Sequence, residues 1–361
     1  MANCLRPPRW PAASLAAALR VSALALIAGA AMASASEPPP EHHLAPTDTA
    51  PSVSELARER AAIAAFQKID QRLQDAGWKL VRGNAPFCDK TTPAIGLQLH
   101  DVASYGRPDL VRAALGLSGD FAVQTAAAGS PAARTGGFRR NREVARIAAL
   151  DPNRLPAGDR MHWQRLKRVH DSIDAALARS GPIAVTFASG SSHALEPVAV
   201  CAARFELIAG DARALADGER VIVGLEFPGF AYPEPVFAGA LAHELAHVVL
   251  GHKAWLDRAG RKRRHIRLTE READRLMPWL MANAGYDPWD AHRFMLRWGK
   301  SHDGGLFRKR THDGWDERAE FIAGEIALIE RLIEAEGRAD WSVHFRREIE
   351  PGEAPEVARR D

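Results

Sequence analysis

The chain has 361 residues, 46% of them apolar and 26% charged, a composition that suits two small folded domains or one large one and excludes a wholly disordered protein. The formal charge of +3 comes from 48 basic against 45 acidic residues, and residues 1–35 hold three arginines and no lysine or acid, so the remainder balances at 45 against 45. That neutrality removes the electrostatic case for a nucleic-acid partner.

Residues 1–35 read as a secretory leader. Arg6, Arg9 and Arg20 precede the apolar run Val21–Met32, and small residues then offer cleavage after Ala33 or Ala35. The run is short for a membrane span, a retained anchor being the alternative, and no other stretch is apolar enough to cross a bilayer. The expected location is therefore the periplasm, beyond the inner membrane. Residues 36–51, rich in proline, read as a disordered linker. Leu56, Ile63, Phe66, Ile69 and Leu73 recur at helical spacing, which predicts an amphipathic packing helix over Ser54–Ala76 with Gly77 as its C-terminal cap, in an N-terminal element of residues 52–79. Cys4 leaves with the leader. Cys88 and Cys201 remain as an even pair in an oxidising compartment and are expected to form a disulfide, two buried thiols being the alternative.

Between residues 80 and 202 the pattern is mixed. Strand-like runs fall at Ile95–His100, Phe121–Thr125, Val144–Leu150, Pro182–Phe187 and Pro197–Cys201, with a helix expected over His162–Ala178. The turn Gly129-Ser130-Pro131-Ala132, ending at Gly136, and the order of elements around it resemble bacterial PDZ-like domains. The Gly-Asp-x-Ile that usually follows is replaced by Arg139-Arg140-Asn141-Arg142, and no carboxylate-binding loop precedes Phe121. The expected role is a shield over a neighbouring cleft rather than peptide capture. Two further strands are expected at Arg204–Ala209 and Arg220–Phe227.

The chemistry concentrates in Leu241–His252, where His-Glu-x-x-His lies in an apolar helix. His243 and His247 are four apart and share one helix face, as two ligands of one metal ion require. Glu244 stands beside them, placed to take a proton from an attacking water. The basic run Arg261, Lys262, Arg263 and Arg264 follows, a solvated helix end or a contact for anionic lipid heads. Thr269 then suits an N-cap, with Glu270 and Asp274 four apart on a second helix. Packed beside the first helix, it would present Glu270 as third ligand, and Asp274 would orient a ligand histidine. Glu272 competes for the ligand role but faces elsewhere on the helix.

His-Glu-x-x-His followed by Glu-x-x-Ala-Asp resembles the zinc metallopeptidase family of HtpX, BepA and the CAAX prenyl proteases, a gluzincin group, over about Asp211–Leu332. The resemblance implies an α+β fold: a helical metallopeptidase domain with a small edge sheet, residues 203–346, preceded by the PDZ-like segment and followed by a disordered tail, residues 347–361. It implies one zinc per chain held by His243, His247 and Glu270, cobalt or manganese being chemically admissible, with Glu244 as general base. It also makes the Arg220–Phe227 strand the edge of the cleft, where an extended polypeptide would add by β-augmentation, an interior strand with no free edge being the alternative. Family members carry Thr-His-Pro and then Glu-Arg. Here Thr311-His312-Asp313 and Glu317-Arg318 stand at those places, so His312 is expected as a displaceable fourth ligand or a donor to the oxyanion, and Arg318 as a partner for Asp274 or another carboxylate. The activity implied is hydrolysis of unfolded or misassembled envelope proteins. The competing readings are an assembly chaperone for envelope proteins and a purely structural zinc site.

Overall fold

A computed structural model describes residues 50–158, 162–302 and 313–349, the side chains of 301 and 302 excepted. The leader with its cleavage sites, linker residues 36–49, Thr311, His312 and the chain from residue 350 lie outside the described residues.

Helix α1, Val53–Gly83, starts where the Ser52 hydroxyl accepts the Glu55 N–H at 3.2 Å. It does not stop at Gly77. Trp78, Leu80 and Val81 continue its buried stripe, and Gly77 serves close packing instead, since a Cβ there would lie 2.5 Å from the Phe205 ring. The strands and helices that follow are β1 (Thr91–Ala94), β2 (Leu97–Asp101), α2 (Pro108–Leu115), β3 (Phe121–Ala126), α3 (Pro131–Arg134), β4 (Val144–Ile147), α4 (Gln164–Ser180), β5 (Ile183–Phe187), β6 (Ser192–Leu195) and β7 (Val198–Cys201). Strands β2 and β3 pair antiparallel, as do β4, β5 and β6 in that order. Val169, Ile173 and Leu177 of α4 join Phe121, Val123, Val185 and Phe187 in one core.

Strand β1 pairs antiparallel with β7, from Thr91 opposite Cys201 to Ala94 opposite Val198, and Cys88 is disulfide-bonded to Cys201. The segment therefore leaves and rejoins the rest of the chain at one tied neck.

Strands β8 (Arg204–Ile208), β9 (Ala214–Ala216) and β10 (Arg220–Gly224) form a sheet in the order β8–β10–β9. The resemblance implies a free edge for the strand that is now β10. It lies instead in the middle, the interior position that is the alternative, parallel to β8 and antiparallel to β9, with Val221 and Val223 fully buried. The short β9 is an edge strand of this sheet.

The remaining helices are α5 (Glu234–Val249), α6 (His252–Ala259), α7 (Arg263–Asn283), α8 (Trp289–His302), α9 (Trp315–Glu336) and α10 (Trp341–His344). Helix α5 packs on α7 and α8, and α7 on α9. Phe237, Leu241, Leu245, Leu276, Met277, Leu280, Ile322 and Ile326 share a core with Leu73, Leu80 and Val81 of α1. The second half of α1 thus supports the metal-motif helices, while its first half packs on α2 and β3. The class is mixed α+β. Among the described residues no helix is long and apolar enough to cross a membrane.

Candidate metal centre

Helix α5 is apolar nearly all round, so burial against α1, α7 and α8 fixes its rotation and leaves the polar trio His243, Glu244 and His247 on one side. Helix α7 crosses beside it and brings in Glu270. His243 Nε2 and His247 Nε2 lie 3.3 Å apart, and Glu270 carboxylate oxygens lie 3.5 Å and 3.6 Å from them. Tetrahedral ligands at about 2.0–2.1 Å from zinc stand about 3.3–3.4 Å from one another, so the three donors match such an ion. These residues form a group able to hold a metal ion, and among the described residues the group ends at three donor side chains. Their side chains are 11%, 13% and 18% exposed, which leaves the group open to solvent on one side.

Asp274, one turn beyond Glu270, is fully buried. Its Oδ1 lies 3.1 Å from His243 Nδ1, a charge contact set off the ideal hydrogen-bond line. Arg318, in the first turn of α9, grips the same carboxylate with two bonds, Nε to Oδ2 at 2.6 Å and Nη2 to Oδ1 at 2.8 Å. Burial would raise the Asp274 carboxyl, but the Arg318 charge and His243 hold it below the usual range. Burial likewise opposes a charge on His243, and the contacts of Asp274 and Glu270 outweigh it, lifting that imidazole to about 10. His247 is pushed down to about 3 by burial. The carboxylates around His243 thus favour its charged form, while burial favours the neutral form of His247.

Burial also pushes Glu244 up to about 7, opposed in part by the nearby backbone of Ala216 on β9. The meeting of Glu244 and β9 was not visible in the motif, since β9 is only three residues long and carries no strand pattern of its own.

Glu272 is buried and points away from the metal donors, as the helical period requires for a residue two positions from Glu270. It accepts from His252 and from the segment after α10: Arg347 Nη2 at 3.0 Å and the Glu348 and Ile349 N–H groups at 2.5 Å and 2.8 Å. Residues 347–349, assigned from sequence to a disordered tail, are instead fastened here, with Ile349 buried against Trp255 and Leu256. A charged pattern conceals this because its partner is a carboxylate far away in sequence. Asp313 pairs with Arg271 at 2.9 Å and Arg267 at 3.5 Å. These charges hold the chain just ahead of α9. Arg261, Lys262, Arg263 and Arg264 are exposed at the α6–α7 turn, with Arg261 paired to Asp257.

The chain matches no family model and no curated protein.

Proposed function

We propose that the protein is a zinc-dependent endopeptidase acting on extended polypeptide. The observation that carries the reading is the spacing of the three donors, 3.3–3.6 Å, beside a carboxylate whose burial brings its pKa to about 7. His243, His247 and Glu270 would hold zinc, which would supply a Lewis acid and lower the pKa of water at the site towards neutrality. Glu244 would accept a proton from the attacking water and return it to the leaving amine. Asp274 and Arg318 hold His243 in its ligand orientation. Strand β9, whose Ala216 backbone lies near Glu244, offers an edge along which a substrate strand would lie, placing its carbonyl beside the base.

Unfolded or misassembled envelope proteins are the substrate class that fits. An edge strand reads main chain rather than side chains, and the Cys88–Cys201 bridge suits an oxidising compartment such as the one the leader implies. The test is Glu244→Gln beside wild type, with zinc content and casein cleavage measured on both. One zinc in each protein and cleavage lost in the variant, by a factor of about a hundred or more, is the expected result. A variant cleaving at the wild-type rate would overturn the mechanism. A variant that is inactive yet complements a deletion strain fully would favour the chaperone role.

A further inference from the structure

We propose that His252 is a positioning residue for the metal centre, fixing the tautomer of His247 through a relay that ends on the C-terminal segment. The relay rests on the metal-ligand reading of His243, His247 and Glu270, though not on peptide hydrolysis.

Gly251 lies between α5 and α6 at φ +67°, a left-handed conformation that reverses the chain and returns the next side chain towards the end of α5. A Cβ at Gly251 would meet nothing, so the requirement there is conformational. The His252 ring consequently lies against His247, with Nδ1 of one 2.9 Å from Nδ1 of the other. Its Nε2 lies 3.0 Å from Glu272 Oε2. His252 is 1% exposed and Glu272 fully buried, so water does not compete for either bond.

The proton positions follow from the partners. Glu272 is an acceptor on all sides, taking the Arg347 guanidinium and two backbone N–H groups, so the proton between it and His252 belongs to His252 Nε2. Arg347 already supplies the positive charge that this buried carboxylate needs, which leaves His252 a neutral ring with an open lone pair on Nδ1. Two facing nitrogens at 2.9 Å need one proton between them, so His247 donates from Nδ1. His247 Nε2 then presents its lone pair to Glu270 and His243, as a metal ligand must. The opposite tautomer would put a proton where the ion belongs. Arg347 also donates to the Leu250 carbonyl at 3.1 Å, so the same residue closes the end of α5 and steadies Glu272. The two ligand histidines are thus oriented differently: His243 directly by a carboxylate, His247 by a carboxylate acting through a second imidazole.

The experiment uses the purified full chain labelled with 15N-histidine. Long-range 1H–15N spectra of the metal-free protein read the His247 tautomer, and competition with a chromophoric chelator reads zinc affinity for wild type, His252→Leu and His252→Gln. The relay requires the Nδ1–H form of His247 in wild type. His252→Leu should weaken zinc binding by about ten- to a hundredfold. His252→Gln, whose amide can accept from His247 and donate to Glu272, should restore most of that loss. A His247 in the Nε2–H form, or a folded leucine variant binding zinc as tightly as wild type, would overturn the relay. Should the leucine variant fail to fold, the wild-type tautomer still decides. A wild-type chain that binds no zinc would instead overturn the metal reading of the triad, a distinct failure.

Discussion

Arg318 and Asp274 show how much one side chain decides at this centre. Asp274 is fully buried, and its two bonds to Arg318 are what make its charge tolerable there. Arg318→Ala leaves that carboxylate with His243 as its remaining charged contact, and the expected loss is up to roughly 3 kcal/mol of unfolding free energy, measured by urea titration of the metal-free protein. Arg318→Lys should recover only part of it, because an ammonium cannot reproduce the two-bonded fork. Equal stability in wild type and Arg318→Ala would mean that Asp274 is protonated in the folded state. Glu244 carries the second prediction at this scale. Burial raises its carboxyl to about 7 in the metal-free protein and a bound cation would lower it, so kcat/KM on a peptide substrate should show an acid limb that follows a single proton, with its midpoint below 7. The absence of an acid limb at every pH where the metal stays bound would assign the base elsewhere.

Helix α7 does three jobs on three of its faces. Glu270 and Asp274 face α5, Glu272 faces His252 and the C-terminal segment, and Leu276, Met277 and Leu280 enter the core. The Glu272 face has a pH signature. Burial would raise its carboxyl, but the bonds from His252 and Arg347 and the Arg347 charge prevail and bring it down from 4.5 to about 2. Being harder to protonate folded than unfolded, it contributes stability that is present in full above about pH 4.5 and is lost as pH falls through about 2, roughly 3 kcal/mol in all. Glu272→Gln should therefore be less stable than wild type at pH 7 and converge with it near pH 2, in denaturant titrations across that range. A difference that stays constant with pH would remove the ionised Glu272 from the account.

At the scale of the whole molecule, the segment from Cys88 to Cys201 is closed by the β1–β7 ladder and by one disulfide across 113 residues. A covalent tie of that loop length is worth roughly 4 to 5 kcal/mol in the chain-entropy account. Reduction, or Cys88→Ser with Cys201→Ser, should lower the urea midpoint accordingly. Added zinc, if the His243, His247 and Glu270 group binds it, should nevertheless bind as before, since α5 and α7 lie outside the tied segment and share their core with α1. Loss of zinc on reduction alone would mean that the tie, rather than the helical core, holds α5 against α7.

Some of this was settled by local sequence. His243 and His247 had to share a face once Leu241, Leu245 and Val248 made their segment a buried helix, because helical periodicity is a local property. The same period set Glu270 and Asp274 together and turned Glu272 away. The strands at Phe121–Ala126, Ile183–Phe187 and Val198–Cys201 were legible from their apolar runs, and Cys88 and Cys201 from their parity. What sequence could not decide was each case in which the partner lay far along the chain. Gly77 looked like a helix stop because only Phe205, across the fold, needs the space it leaves. The edge position of β10 rested on the family resemblance alone, and the three residues of β9 that cover it carry no pattern to correct it. Arg347 and Ile349 looked like solvated tail because the carboxylate that holds them lies on α7, and His252 looked like the end of a motif because its meaning depends on Glu272. Periodicity and turn chemistry act between near neighbours in sequence. Burial of a charge and pairing of an edge depend on which distant segment arrives, and only the packed structure brings that segment into place.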